Sequence, residues 1–81
     1  MKIKCAAIQH DGKIWEGRNH ADVIGDMIGG GVPAPILNCD QGFVTECGLF
    51  VDRKQAALIA VKAGQIEKLT WPPLLYSEDL L

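Results

Sequence analysis

Two basic residues stand where predicted helices begin, and of all the patterns in the sequence this one most suggests chemistry. Arg18-Asn19-His20 opens one helix and Asp52-Arg53-Lys54 opens the other. A helix amino terminus carries partial positive charge, so cations there are unfavourable by about 0.3–1 kcal/mol. The same terminus presents free N–H groups, which with an adjacent arginine form a site for phosphate or carboxylate. A local rule broken twice in the same way indicates a functional site.

The same residues also have ordinary structural interpretations. Arg18 and Arg53 could be exposed and pair with neighbouring carboxylates, since surface ion pairs are common and weak. His20 lies one turn before Ile24, at the edge of the predicted apolar face, where histidines are usually hydrogen-bonded boundary residues. Trp15 could stack on a base, although a tryptophan in a strand more often belongs to the core. The sequence leaves these alternatives open.

Motifs of known catalytic and metal sites are missing from the sequence. It contains no GxSxG, HExxH or Walker motif, and Gly29-Gly30-Gly31 follows a helix, whereas a phosphate-binding loop precedes one. The acids are too dispersed to assign a general acid–base pair. His10 and His20 have no carboxylate at metal-ligand spacing. We therefore expect no enzymatic activity, no cofactor and no bound metal.

The composition indicates a single domain, residues 1–81, with a large apolar share. The chain is 48% hydrophobic, has a net charge of −2, and scatters its lysines and arginines. Small domains bury a smaller share of their surface, so we expect a second copy to cover part of it in a homo-oligomer. The lack of a basic stripe argues against duplex nucleic acid. No apolar run approaches the roughly 18 residues of a membrane span, which argues against a membrane partner.

The three cysteines, Cys5, Cys39 and Cys47, form no CxxC pair. The amino terminus reads as a short strand and does not resemble a signal peptide. We therefore expect reduced, mostly buried thiols in a cytosolic protein.

The stretch from Gln41 to Ile66 organises the rest of the predicted fold. Two β-prone runs, Phe43-Val44-Thr45 and Leu49-Phe50-Val51, flank a turn at Cys47-Gly48. The pattern predicts a strand pair that runs directly into a helix.

Capping residues mark both ends of that helix. Asp52 occupies the N-cap position and Gln55 completes an acidic capping box. Gly64 ends the helix as a C′ glycine. The predicted core face consists of residues at positions i, i+3, i+4 and i+7: Ala56, Ile59, Ala60 and Ala63.

The amino-terminal part predicts a hairpin followed by a helix. Ile3–Gln9 reads as a strand, Asp11-Gly12 as a two-residue turn and Lys13–Glu16 as the returning strand. Asn19 is the predicted N-cap of a helix from His20 to about Ile28. Its predicted core face consists of Val23, Ile24, Met27 and Ile28.

The remaining segments are rich in proline. Val32–Asp40 reads as irregular, with a short strand at Ile36-Leu37. Trp71 and Pro72-Pro73 form a predicted extended stretch, and the apolar run Leu74-Leu75-Tyr76 should pack back on the body or against a partner. The predicted fold class is α+β, a small antiparallel sheet with two helices on one face, in a ββαβββ-like order.

The run GFVTECGLFVDRKQAALIAVKAGQI, followed by LLYSEDLL, resembles a family of small, mostly uncharacterised proteins of tailed phages and prophages. The matching features are GFV-x3-G-x-FV-x-R-x2-A, a following AGQI and a final L-x-SEDL. Arg18-Asn19-His20 fits the Arg-x-His that follows the first hairpin in this pattern. The resemblance covers most of the chain, with Gly29–Asp40 matched least.

A phage setting implies a function in the host cytosol. Small phage proteins without catalytic residues often disarm host defences, and one route is to sequester a nucleotide immune signal such as an ADP-ribose derivative or a cyclic nucleotide. The implied site has phosphate ligands, ribose or base contacts and a stacking aromatic: Arg18 and Arg53, then His20 and Gln65, then Trp15 or Tyr76. We expect this site to lie between subunits.

Two other functions stay open. The apolar tail around Trp71 and Leu74-Leu75-Tyr76 could make the chain a protein-interaction module that inhibits a host protein or assists phage assembly. An enzyme that acts on nucleotides with His20 as acid or base is the third possibility.

Overall fold

A four-stranded antiparallel sheet carries two helices in this structure, a computed structural model that describes residues 1–33, 36 and 40–80. The elements are β1 (Ile3–His10), β2 (Lys13–Gly17), α1 (His20–Gly29), β3 (Gln41–Thr45), β4 (Phe50–Asp52), α2 (Arg53–Lys62) and a short 3₁₀ helix (Ser77–Leu80). The strands lie in the order β2-β1-β3-β4. The α+β fold class is confirmed. The predicted ββαβββ-like order is wrong at its end, because the capped segment after β4 is a helix: the described elements run ββαββα, with the 3₁₀ helix last.

The β1–β2 hairpin forms through the predicted two-residue turn. Asp11 has φ 49° and Gly12 has φ 77°, the two positive values that a type I′ turn requires. The turn sets the register, in which His10 pairs with Lys13.

Helix α2 has the predicted signals at both ends. The Asp52 carboxylate accepts from Gln55 N at 2.7 Å, and the Gln55 side chain accepts from Asp52 N at 3.3 Å. At the other end Gly64 has φ 73°, and Gln65 N donates to Ala60 O at 2.9 Å. This is a Schellman ending, which satisfies carbonyls that the helix leaves open.

Helix α1 is capped in the same manner. Asn19 Oδ1 accepts from Asp22 N at 2.8 Å, which confirms Asn19 as the N-cap. At the other end Gly31 has φ 95°, and Val32 N donates to Met27 O at 2.9 Å. The triple glycine therefore ends the helix, as the sequence indicates.

Both helices pack on the same face of the sheet. Ala6 and Ile8, two residues apart on β1, point to that face and join different core clusters. The cluster beneath α2 has the buried members Ile3, Ala6, Phe43, Val51, Ala56, Ala57, Ala60 and Leu75. The cluster beneath α1 has the buried members Ile8, Val23 and Met27.

Two details of the predicted helix faces are wrong. Ile28, assigned to the α1 core face, is 50% exposed because the buried face of α1 runs through His20, Val23 and Met27, and Ile28 lies to one side of it. In α2 the buried residues are Ala56, Ala57 and Ala60, while Ile59 and Ala63 are only half-buried. The α2 face is thus rotated towards Ala57, and small side chains let the helix lie close to the sheet.

The tail folds back onto the body, and its first part is a turn. Leu74 N donates to Trp71 O at 3.0 Å, so the predicted extended stretch at Trp71-Pro72-Pro73 is wrong. Leu75 is fully buried in the cluster beneath α2. The prediction that the apolar tail packs on the body is confirmed at this residue.

Cys5 is half-buried and Cys47 is exposed, and both are free thiols. The expectation of mostly buried cysteines is therefore wrong for Cys47, which lies in the turn between β3 and β4. Cys39 and the Leu37 half of the predicted Ile36-Leu37 strand lie outside the described residues. Within the described ranges, no helix is long and apolar enough to cross a membrane.

Candidate functional site

A pocket of about 320 Å³ opens where the starts of both helices meet the tail. Its size is at the lower end of small-molecule sites. The lining residues come from three separate parts of the chain: Asn19, His20 and Ala21, then Arg53, then Tyr76, Ser77 and Glu78. Both helix starts singled out in the sequence therefore face one pocket.

Arg53 holds the tail against the start of α2. Its carbonyl accepts from Leu75 N at 3.0 Å, and its Nη1 donates to Leu75 O at 3.0 Å. Nη2 donates to Gln41 Oε1 at 2.7 Å, and the guanidinium carbon lies 4.5 Å from the centre of the Tyr76 ring. The arginine is thus fixed between β3 and the tail, with a stacked aromatic beside it.

The guanidinium remains a charged donor in this setting. Burial lowers the pKa of Arg53 from its ordinary value, while Tyr76 and Glu78 act in the opposite direction. Arginine stays protonated at neutral pH even when its pKa falls in this way. Nη1 and Nη2 each carry two N–H groups, so each can serve a further acceptor beside its protein partner.

His20 is hydrogen-bonded through both ring nitrogens. Nε2 lies 2.6 Å from Gly42 O, a pure acceptor, so this nitrogen carries the proton. Nδ1 lies 3.0 Å from Ser77 Oγ and therefore accepts from the hydroxyl in the neutral ring, while His20 N donates to the same oxygen at 3.2 Å. The ring also meets Phe43 edge to face at 4.9 Å. This is the hydrogen-bonded boundary residue of the structural interpretation.

The environment of His20 predicts a pH dependence of stability. Burial, with the charge of Arg53 acting the same way, lowers the pKa of His20 below 6.5, although the bond to Gly42 opposes the shift. The unfolded chain therefore takes up a proton before the folded chain does as pH falls. The contribution of neutral His20 to the free energy of unfolding is fully present above pH 6.5 and decreases below it, at up to about 1.4 kcal/mol per pH unit.

Thermal melts between about pH 7.5 and pH 5.5, a range above the ordinary carboxylate pKa values, measure this effect. His20→Asn removes the titrating ring, so its melting temperature should change less with pH across the same range. An equal slope in the two proteins would contradict the assignment.

The pocket offers several kinds of contact to a ligand. The start of α1 carries the positive end of the helix dipole, and Arg53 adds a full positive charge. Both favour an anion. Glu78, which also lines the pocket, would repel an anion, yet its carboxylate can accept from hydroxyl groups. The arrangement suits a ligand that combines a negative group with hydroxyls.

Three of the six residues expected at the site line this pocket, namely His20, Arg53 and Tyr76. The other three lie elsewhere. The Arg18 side chain is 79% exposed and pairs with Asp22 at 3.4 Å, as the ion-pair alternative holds. Trp15 packs beside the α1 core cluster, with Lys13 Nζ 4.0 Å from its ring centre.

Gln65, the third residue outside the pocket, joins the segment after α2 to the first residue of β1. Its Oε1 accepts from Ile3 N at 2.6 Å, and its Nε2 donates to Ile3 O at 2.9 Å. Both groups of the amide are therefore engaged with β1, which gives Gln65 a structural role in this structure.

Four lining residues were not identified from the sequence: Asn19, Ala21, Ser77 and Glu78. Asn19 was recognised only as a helix cap. Ser77 and Glu78 belong to the SEDL motif that carries the family resemblance, and that motif is the feature of the sequence that could have indicated them. Among the described residues, no group of three or more His, Cys, Asp or Glu could hold a metal ion.

These features define a small α+β protein with a polar pocket built from two helix starts and a folded-back tail. The pocket depends on the SEDL segment, one of the motifs by which the chain resembles small phage proteins. The chain belongs to the family described as phage T4 y16D protein, whose family model matches residues 2–81. No curated protein and no solved structure matches the chain significantly.

Proposed function

We propose that this phage-family protein binds a phosphate-containing nucleotide in the pocket and sequesters it without turnover. The ligand class is a host immune signal such as an ADP-ribose derivative or a cyclic nucleotide, held in the host cytosol. The observation that carries the proposal is the convergence of Arg53, His20 and Tyr76, distant in sequence, around one pocket.

The contacts suggest how such a ligand lies. The phosphate lies between the start of α1 and the Arg53 guanidinium, where the helix dipole and the charge of the guanidinium both attract it. Ribose hydroxyls donate to Glu78. A base that stacks on Tyr76 extends the existing Arg53–Tyr76 stack. Since Arg53 is already fixed by two hydrogen bonds, little side-chain entropy is lost when the phosphate binds.

Binding without turnover is supported by the state of His20. Both ring nitrogens already have partners within the fold, at 2.6 and 3.0 Å. A general acid or base must exchange a proton with the ligand, which requires one of these bonds to break. The enzyme alternative therefore predicts that the His20–Ser77 bond opens when a nucleotide binds.

A thermal-shift screen against linear and cyclic nucleotides tests the proposal. A ligand at about 100 times its dissociation constant should stabilise the fold by about 2.7 kcal/mol, several degrees for a domain of this size. Recovery of the compound unchanged after the protein is heated indicates sequestration. Recovery of an altered compound would replace the proposal with an enzyme, and no shift across the panel would reject the site.

Ala21→Glu separates binding from folding. Ala21 is exposed and lines the pocket. A glutamate in the first turn of a helix favours the fold by about 0.3–1 kcal/mol, yet its charge repels a phosphate. We expect a melting temperature at or above that of the wild type, and a ligand-induced shift that is lost.

The matched control is Gly25→Glu, one turn further along α1. Gly25 is exposed, a Cβ added to it would meet nothing within 4 Å, and it does not line the pocket. It introduces the same charge, so ligand binding should stay within a few-fold of the wild type. Equal binding by Ala21→Glu and Gly25→Glu would show that the nucleotide lies elsewhere.

The second candidate function is a protein-interaction module that uses the tail. The tail exposes fewer apolar side chains than the sequence implies. Leu75 is fully buried and Tyr76 stacks on Arg53. Trp71 is 67% exposed and is the tail residue that favours this candidate.

A further inference from the structure

A second surface of the molecule is apolar and lies away from the pocket. A groove of about 690 Å³ runs between α2 and the turn that follows Trp71. Its lining residues are mainly apolar: Ala57, Leu58, Val61, Lys62, Leu69, Pro72 and Pro73. None of them lines the polar pocket. We call this surface the α2 groove.

Large apolar side chains around the groove are strongly exposed. Leu58 is 69% exposed and Val61 is 46% exposed, although both belong to a helix whose other face is core. Trp71 precedes the groove residue Pro72 and is 67% exposed. A large apolar side chain left in water gains nothing from burial, and tryptophan is one of the residues enriched at interface hot spots. Such a surface indicates an interface.

The same surface carries both parts of an interlocking contact. Trp71 projects at one edge, and the groove that could receive an indole begins at the next residue, Pro72. A two-fold axis that lies in the contact plane, midway between Trp71 and the groove, would place each projection opposite the other copy's groove. Self-complementarity of this kind is the requirement for an isologous dimer.

The charges beside the projection and the groove are also complementary. Asp79 is bound to the residue before Trp71, because its Oδ1 accepts from Thr70 Oγ1 at 2.7 Å and from Thr70 N at 3.3 Å. Lys62 lies on the wall of the groove. Trp71 of one copy therefore brings a carboxylate with it to a groove whose lining includes a lysine, and the two charges are opposite.

We propose that the α2 groove is the interface of a homodimer, in which Trp71 of each copy occupies the groove of the other. The pocket and the interface share no lining residue, so the dimer can form whether or not a nucleotide binds. The proposal therefore stands independently of the proposed function.

Sedimentation equilibrium over a range of protein concentrations tests it. The wild-type protein should show twice the mass of one chain at high concentration and dissociate on dilution. Trp71→Ala removes the projection and Leu58→Glu places a charge in the groove, so each should remain monomeric across the range. Leu49→Glu is the matched control, because Leu49 is 53% exposed in the β3–β4 turn and lines no part of the groove; this variant should still dimerise.

Mixing the two monomeric variants tests the interlock itself. The Trp71→Ala variant keeps an intact groove, and the Leu58→Glu variant keeps its tryptophan. In a mixture, the tryptophan of the second variant can enter the groove of the first, a contact that neither variant can make with its own copies. The mixture should contain heterodimers at concentrations where each separate variant is monomeric. Circular dichroism melts of the dilute variants confirm that each chain is folded.

Three results would overturn the proposal. They are a wild type that stays monomeric at all concentrations, a dimer that survives both substitutions, and a mixture that never exceeds the mass of one chain. A monomeric wild type would leave the exposed Trp71 for a different protein, as the tail-docking candidate requires. A dimer that survives both substitutions would place the contact on another face.

Discussion

Replacement of Gly42 by alanine is expected to destabilise the fold by about 3 kcal/mol, at the upper end of the cost of overpacking. A Cβ at this position would overlap the carbonyl oxygen of Val51, and it would lie 2.8 Å from the ring of Phe50. The Phe50 side chain could shift, but the carbonyl belongs to the backbone of β4, which pairs with β3. The strands would have to separate locally.

The consequence extends to the pocket. The carbonyl of Gly42 accepts from His20 Nε2, so movement of β3 weakens the network that holds His20 and Ser77. For a domain of 81 residues, a loss of about 3 kcal/mol corresponds to a decrease in melting temperature of roughly 12–24 °C. Thermal unfolding followed by circular dichroism measures it.

Gly25→Ala is the matched control. A Cβ at Gly25 meets nothing within 4 Å, and the residue lies inside α1. Glycine inside a helix is less stable than alanine by roughly 0.5–1 kcal/mol, so this variant should melt a few degrees higher than the wild type. Similar melting temperatures for Gly42→Ala and the wild type would show that the close approach of β3 and β4 is not rigid.

Replacement of Leu75 by alanine is the second large effect, with an expected loss of about 2–5 kcal/mol. Leu75 is fully buried among residues of the sheet and α2. Its backbone is held by Arg53 from both sides, since its N–H donates to the carbonyl and its carbonyl accepts from the guanidinium. The surroundings therefore cannot collapse fully into the space that a smaller side chain leaves.

Leu49→Ala carries the same change to an exposed position. Leu49 is 53% exposed, so the free energy of unfolding of the Leu49→Ala variant should differ from that of the wild type by no more than about 0.5 kcal/mol. Denaturant titration gives both values. If Leu75→Ala lowers the free energy of unfolding as little as Leu49→Ala does, the tail does not stabilise the core, and a protein without the tail should still fold.

Local signals were enough to predict most of the fold. The Asp11-Gly12 turn, the Asp52–Gln55 capping box and the glycine at position 64 each act through neighbouring residues, so the sequence reveals them directly. Errors arose where distant packing decides the outcome. The exposure of Ile28 depends on how α1 is rotated about its own axis against the sheet, which periodicity alone does not show.

The candidate site could be predicted only in part, for a similar reason. The charge pattern at both helix starts was visible, and Arg53 and His20 were found through it. The choice between Arg18 and Arg53 required both the tail and β3, because Leu75 and Gln41 fix Arg53 while Arg18 pairs with Asp22 in solvent. Contacts at such separations leave no local trace in the sequence.

The bond between His20 and Ser77 spans 57 positions, and the bonds between Ile3 and Gln65 span 62. A ribosome produces the chain from its amino terminus, so α1 is made long before the serine that completes its first turn. The nascent chain must therefore hold β1 and α1 without their final partners until these late residues arrive. Contacts of such long range slow folding, and the starts of β1 and α1, which Gln65 and Ser77 later hold, stay open until those residues have been added.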